Sequence, residues 1–222
     1  MIEGLYGGTG GSGVSLVVLA AGGGSRFGGQ PGDKLLADYG GVPLVRATLA
    51  GMQGAPVDET IVVAGARAKE VREACESYAR RVVENPEWKV GMSTSVRLGL
   101  AACAPFARAA VFALADQPLV GAEAVGRLVA AFGGGAEAAV ATYGGEQRNP
   151  ALLARGLWPA LVGELSGDAG ARKFLRRRPE LVTEVPCDGV ADPADVDTEE
   201  DLRRLEGMMC SWGSRQGERS SA

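Results

Sequence analysis

Short, unbroken apolar runs alternate along this chain with longer segments whose apolar positions recur every three or four residues. "SLVVLAA" (15–21) is short, apolar throughout and β-branched in the middle, the pattern of a buried strand. "ETIVVAG" (59–65), "RVVEN" (81–85), "AAVFALA" (109–115), "EAAVATY" (137–143) and "LVTEVP" (181–186) read the same way. Between them lie helical patterns: "PLVRATLAGMQ" (43–53) with Pro43 in its first turn, the charge-laced "RAKEVREACESYARR" (67–81), "SVRLGLAACA" (95–104) and "AEAVGRLVAAF" (122–132). "TEEDLRRLEGM" (198–208) closes the series, with Thr198 as its N-cap.

Strands that are apolar on both faces, alternating with helices, predict an α/β domain with a mostly parallel sheet covered on both sides. In such sheets ligands bind outside the carboxyl ends of the strands, so the loops after Ala21 and Ala115 are the places to look. No internal repeat or linker interrupts residues 14–208, which read as one domain. The glycine-rich segment 1–13 is expected to be flexible and the polar tail 209–222 disordered.

Composition narrows the chemistry. The 222 residues carry 23 Lys and Arg against 27 Asp and Glu, a net charge of -4, which argues against a nucleic-acid partner. Four cysteines form no CxxC pair, consistent with free thiols in a reducing cytoplasm. "VSLVVLAA" is too short to span a membrane and follows no basic leader, so a cytoplasmic protein is expected. Histidine is absent, which removes Ser-His-Asp and Cys-His nucleophiles and HExxH zinc sites. Catalysis must rest on carboxylates, Lys, Arg, backbone amides or a metal ion.

The loop after the first strand is "GGGSRFGGQPGDK" (22–34). A dinucleotide fingerprint would need a third glycine where Phe27 stands, and a Walker A loop would need Ser or Thr after Lys34, where Leu35 stands. What remains is a run of close-approach glycines, Gly22, Gly23 and Gly24, followed by the cations Arg26 and Lys34. That combination after a buried strand points to phosphate, although a glycine-rich solvent loop has the same composition. A nucleoside triphosphate carries roughly −4, and one Mg²⁺ with one Arg and one Lys supplies about +4. Such a site needs a carboxylate for the metal. Asp116, at the end of "AAVFALA", is placed for it, though an Asp before Gln117-Pro118 also suits a turn.

"LAAGGGSRFG" with a following lysine, "NPEWKVGMSTSVRLGL", "ADQPLV", "GDAGARKFL" and "ADVDTEEDL" occur in the order found in MobA-like nucleotidyltransferases. From about Ser15 to Leu205 the chain resembles that family, and within it the molybdenum cofactor cytidylyltransferase (MocA-like) branch. The resemblance implies a Rossmann-like three-layer αβα fold of the nucleotide-diphospho-sugar transferase type and an enzyme using Mg²⁺. It implies that Leu19, Ala20 and Ala21 lie near the base, with Ala-Ala matching cytidine, so that CTP rather than GTP is the donor. Gly22, Gly23 and Gly24 would wrap the phosphates, Arg26 and Lys34 would be catalytic counter-charges, and Asp116 would bind the metal. Asp197, with Asp195 in "DVDT", aligns with an acidic motif and would be a second metal ligand; an Asp beside an N-cap Thr fits it equally. Ser95 would contact base or ribose, or is simply a helix N-terminal serine.

Asn149, Asp168 and Arg172 would face the acceptor, a molybdopterin-type substrate, with Lys173 beside them, unless "ARKFLRRR" is only a solvated basic helix face. The family usually has Gly-His-Pro where this chain has Arg148-Asn149-Pro150, and its phosphate loop is shorter than "GQPGD" makes it here. Other phosphorylated acceptors, guanylyl transfer, and a non-catalytic nucleotide-binding chaperone that serves a molybdoenzyme are the alternatives.

Overall fold

The computed structural model describes residues 11–24 and 26–208. In chain order the strands are β1 (Val14–Ala20), a small hairpin of β2 (Asp38–Tyr39) and β3 (Val42–Pro43), β4 (Glu59–Ala64), β5 (Arg81–Glu84), β6 (Ala109–Leu114), β7 (Ala138–Tyr143), β8 (Glu146–Ala154) and β9 (Val182–Pro186). The helices are α1 (Asp33–Leu36), α2 (Leu44–Gly51), α3 (Ala68–Cys75), α4 (Met92–Ala102), α5 (Ala122–Gly133), α6 (Trp158–Glu164) and α7 (Ala171–Leu175), with α8 over 199–208. The main sheet has seven strands in the order β5-β4-β1-β6-β8-β7-β9. Only β8 runs against its neighbours; the β1–β4, β1–β6, β4–β5 and β7–β9 pairs are parallel.

Alternation along β1 explains the three layers. Leu16, Val18 and Ala20 face one core, into which α2, α3 and α5 press Leu49, Val71 and Leu128. Val17 faces the other, with Val96 of α4, Leu161 of α6 and Phe174 of α7. This is the αβα arrangement, and each central strand is apolar on both faces because both are covered. A third cluster joins Tyr39 and Leu44 to Val196 and Leu205, so the C-terminal segment closes over the hairpin. The Tyr39 hydroxyl donates to the Leu205 carbonyl at 2.9 Å.

The expected strands are present, and the helices with them, shorter in places. The 67–81 pattern gives a helix only to Cys75, because the Arg80 amide donates to the Thr60 carbonyl and draws the chain into β5. Thr198 caps α8 through a reciprocal pair: its hydroxyl accepts from the Asp201 amide at 3.1 Å, and Asp201 accepts from the Thr198 amide at 3.1 Å. β8 is an element the apolar pattern did not reveal. It begins with polar residues and contains Pro150, yet it is inserted between β6 and β7. Its register against β7 steps from Val140–Ala151 to Ala141–Arg148, so Asn149 and Pro150 bulge out and the missing Pro150 amide breaks no ladder bond.

At the start of the chain, Asp58 accepts the amides of Ser12 and Gly13 at 3.0 and 2.7 Å. Of the segment 1–13 expected to be flexible, residues 1–10 lie outside the described residues, as does the tail 209–222 expected to be disordered.

Candidate functional site

The carboxyl ends of β1 and β6 open onto a cavity of about 390 Å³. β1 delivers Leu19 and Ala21 to its wall. Ala20, expected beside them, is a correction: it is 1% exposed and packs in the α2–α3 core, because successive strand side chains point to opposite faces. Gly22, Gly23 and Gly24 follow along the wall. At Gly22 a Cβ would meet no atom within 4 Å, so the backbone there borders open space. Gly24 has φ 62°, and a Cβ on it would come 3.0 Å from Cβ of Lys34. Glycine is required there by both conformation and contact, and it lets Lys34 approach the loop.

The extra length of "GQPGD" has a structural explanation. The Gly32 amide donates to the Gly23 carbonyl at 3.0 Å, folding the loop back onto the glycines. Asp33 accepts from the Gln30 amide at 2.7 Å and from the Arg67 guanidinium at 2.5 Å. Arg67 itself sits at φ 52°, just before α3. The Gln30 amide first, and Arg67 next, hold the Asp33 carboxyl below its ordinary pKa. The loop is thus clamped at both ends, and α1 starts where it carries Lys34 inward.

Lys34 is 8% exposed and its ammonium reaches Asp116 Oδ2 at 2.5 Å and Asp197 Oδ1 at 3.7 Å. These residues come from α1, the end of β6 and the segment before α8. That segment is docked by the Val196 amide, which donates to the Asp116 carbonyl at 2.9 Å. Arg26 donates to Asp197 Oδ2 at 2.6 Å from an exposed position at the rim. The four predicted groups therefore form one chain of alternating charge, Arg26–Asp197–Lys34–Asp116.

Asp195 stands beside it, accepting from Gln117 Nε2 at 2.9 Å. Its pKa is raised, first by partial burial, then by the charges of Asp116 and Asp197. Gln117 also donates to the Pro193 carbonyl at 2.8 Å, while its buried Oε1 finds no partner among the described residues.

Across the cavity, α4 begins at Met92, and Ser95 lines the wall. The Ser95 hydroxyl accepts from Asn85 Nδ2 at 2.9 Å, and Asn85 also bonds Thr94 and the Glu87 amide, stapling the "NPEW" loop to the helix. The loop lays Trp88 against Gly23 and brings Lys89 to the cavity. Trp88 and Lys89 were not among the residues singled out from sequence; an isolated Trp-Lys between "NPE" and Gly91 was the only available signal.

A second cavity of about 410 Å³ adjoins the first and shares Leu19, Met92, Leu114 and Asp168 with it. Asn149, Arg172, Lys173 and Arg176 line only the second. The bulge in β8 is what presents Asn149. Burial first, then the charges of Arg176 and Arg148, push the Arg172 pKa down, while Asp195 opposes them. Arg176 is a further addition to the residues expected from sequence.

Over residues 16–182 the sequence matches the model of the MobA-like NTP transferase domain. The chain belongs to that family. It is a nucleotidyltransferase of the MobA-like superfamily, and the MocA-like resemblance read from its motifs stands. The nicotine blue oxidoreductase of Paenarthrobacter nicotinovorans is 36% identical over 198 residues, covering 86% of this MobA-like chain and 96% of that protein. A crystal structure of the Mycobacterium tuberculosis Rv0371c homologue from Mycobacterium sp. strain JC1 superposes with a TM-score of 0.76 at 34% identity, covering 90% of this chain and 98% of that one. The complex of Rv0371c from M. tuberculosis H37Rv with manganese superposes with a TM-score of 0.71 at 32% identity, covering 87% and 98%. The match to the MobA-like domain ends before Asp195 and Asp197. No helix among the described residues is long and apolar enough to cross a membrane.

MobA-like nucleotidyltransferases commonly use a divalent metal. Among the described residues no group of three or more Asp, Glu, Cys or His side chains converges on one point. Asp116 and Asp197, however, flank one ammonium, and a third carboxylate, Asp195, stands beside them. A pair of carboxylates completed by substrate oxygens and water is the donor set that Mg²⁺ or Mn²⁺ takes at phosphate sites, so these residues fit such an ion.

Proposed function

We propose that this protein transfers CMP from CTP to the terminal phosphate of a molybdopterin-type acceptor in the cytoplasm. The observation that carries the reading is the Lys34–Asp116–Asp197 cluster beside an open glycine wall, in a cavity joined to a second one. The base lies against Leu19, Ala21 and Ser95, and the triphosphate follows Gly22 to Gly24. Lys34 and Arg26 swing from their carboxylate partners to the phosphates. There they stabilise charge that builds on the departing pyrophosphate, an effect strongest where water is excluded. A Mg²⁺ ion held by Asp116 and Asp197 would supply further neutralisation of the triphosphate.

The acceptor occupies the second cavity, near Asn149, Asp168 and Arg172. Its ionised phosphate oxygen attacks the α-phosphorus in line, and the bond to the bridging oxygen breaks, releasing pyrophosphate. An ionised phosphate is already a nucleophile, so no general base is needed, and the absence of histidine is no obstacle. What the residues contribute is position and field.

The test is a panel of CTP, GTP and ATP with molybdopterin and Mg²⁺, read by pyrophosphate release. Release confined to CTP with molybdopterin is expected. Release only with a sugar phosphate or another acceptor would overturn the acceptor, and CTP binding without release would make the protein a carrier.

One observation favours a second reading. A relative covered along nearly its whole length is named nicotine blue oxidoreductase, which would put a reduced nicotinamide nucleotide in the first cavity. Phe27 in place of the third fingerprint glycine weighs against it. NADH or NADPH oxidation coupled to reduction of a quinonoid dye would establish that reading in place of transfer.

A further inference from the structure

The two cations placed on the phosphate path are both committed to carboxylates. Lys34 shares its charge between Asp116 and Asp197, and Arg26 holds Asp197, so each must leave a carboxylate before it meets a phosphate. Lys89 differs. It lines the same cavity from an exposed position, and its ammonium makes no ion pair or hydrogen bond among the described residues. It lies 5.5 Å from the centroid of the Trp88 ring. A cation over an exposed aromatic ring is held weakly, so a phosphate can draw it away. The root of this side chain is nevertheless fixed. Trp88–Val90 form a single 3-10 turn. On one flank the Trp88 ring lies against Gly23, where a Cβ would come within 3.0 Å of it, and Cβ of Trp88 packs over Gly65. On the other flank the Thr94 hydroxyl accepts from Asn85 Nδ2 at 2.9 Å and donates to the Gly91 carbonyl at 2.9 Å, tying the turn to α4. A Cβ on Gly91 would come 2.5 Å from the Gly167 carbonyl oxygen, so that side is closed as well. A pinned turn thus holds an unpaired lysine on the cavity wall, next to the ring that touches the middle glycine of the phosphate path.

We propose that Lys89 is a further donor-binding residue, whose ammonium leaves the Trp88 ring and pairs with the polyphosphate chain lying on Gly22 to Gly24. This rests on the first cavity taking the nucleotide of the proposed transfer. Lysine suits the task, because a compact charge on a flexible four-carbon stem can follow a phosphate chain without a fixed hydrogen-bonding geometry. Lys89 also brings positive charge without uncovering a carboxylate, which neither Lys34 nor Arg26 can do. In the free protein Trp88 is its resting place.

The experiment measures binding of CTP and of cytidine to the full chain by calorimetry, in one Mg²⁺ buffer. Cytidine keeps the base and ribose and carries no phosphate, so the ratio of the two affinities isolates the polyphosphate. Lys89→Gln is expected to weaken CTP about tenfold, the worth of one charge-assisted contact at an exposed site, and to leave cytidine unchanged. Lys89→Arg, which keeps the charge, is expected to retain CTP affinity within about threefold of wild type. Arg80→Gln is the control for net charge. Arg80 is exposed and sits at the amino end of β5, where its amide donates to the Thr60 carbonyl, so it removes one positive charge on the side of the sheet away from the cavity. Its CTP affinity should match wild type. Unchanged CTP affinity in Lys89→Gln, an equal loss for cytidine, a loss in Lys89→Arg as large as in Lys89→Gln, or an equal loss in Arg80→Gln would each overturn the role of Lys89 and leave the donor site standing. A wild type that binds CTP no better than cytidine would overturn the nucleotide-transfer reading, and this inference with it.

Discussion

Replacing Gly22 by alanine tests the phosphate wall without disturbing the fold. A Cβ at Gly22 would meet no protein atom within 4 Å, and the backbone there lies outside the left-handed region. Stability should therefore hold or rise by about 0.4–1 kcal/mol, because alanine restricts the unfolded chain. If the triphosphate lies on this backbone, the same methyl intrudes on it. Overpacking of that kind costs about 1–3 kcal/mol, which is roughly 5- to 150-fold in CTP affinity. Gly65→Ala is the matched control. Its Cβ would come 2.7 Å from both the Ala21 carbonyl oxygen and Cβ of Trp88, so that variant must shift backbone and lose stability. Calorimetry with CTP and thermal melts of both variants in one buffer separate the effects. CTP affinity within twofold of wild type for Gly22→Ala, or a melting temperature that falls as far as that of Gly65→Ala, would refute the reasoning.

Further outcomes follow from the charged cluster. Lys34→Met keeps the aliphatic stem but removes the ammonium shared by Asp116 and Asp197; kcat for pyrophosphate release should fall about 100-fold. The partly exposed carboxylates limit the stability loss to about 1–2 kcal/mol in a melt, and an effect confined to acceptor KM would contradict the role. Arg67→Ala removes the clamp on Asp33, so amide exchange over residues 26–34 should speed up and KM for CTP should rise up to about fivefold, with no change in exchange counting against the clamp.

Asp195 has a raised folded pKa, so folding binds a proton more readily there. Its stability penalty is absent below the ordinary value of 3.8 and sets in as pH rises through 3.8 to the folded pKa. Asp195→Asn should consequently raise the melting temperature at pH 7 in metal-free buffer by about 1 °C, a small gain because the residue, though its carboxyl is partly buried, keeps much of its surface in solvent, and the gain should vanish in acid. A lower melting temperature at pH 7 would oppose this account.

Much of the fold was legible because burial on both faces leaves an unbroken apolar run. β1, β4 and β6 could be read directly, and their order with the helices between them implied the parallel sheet and its carboxyl-end loops. β8 was hidden by its polar start and Pro150, and only pairing with β6 and β7 makes it a strand. α7 is a five-residue helix at the start of a basic run; its helical state depends on Phe174 and Leu175 entering the second core.

The site divides in the same way. Glycines and cations after a buried strand already singled out residues 22–34 with Lys34 as a candidate phosphate loop, and Asp116 at another strand's end as a candidate metal ligand. Their meeting could not be read from spacing, since Lys34 and Asp116 are 82 positions apart. The direction of Ala20 into the core, the clamp of Asp33 by Arg67, and the gathering of Arg172, Lys173 and Arg176 on the second cavity were likewise decided by tertiary structure. Local pattern records which face of a strand is apolar and which loop can approach a ligand. Only packing fixes which charges share a cavity, because that depends on how distant strand ends are brought side by side.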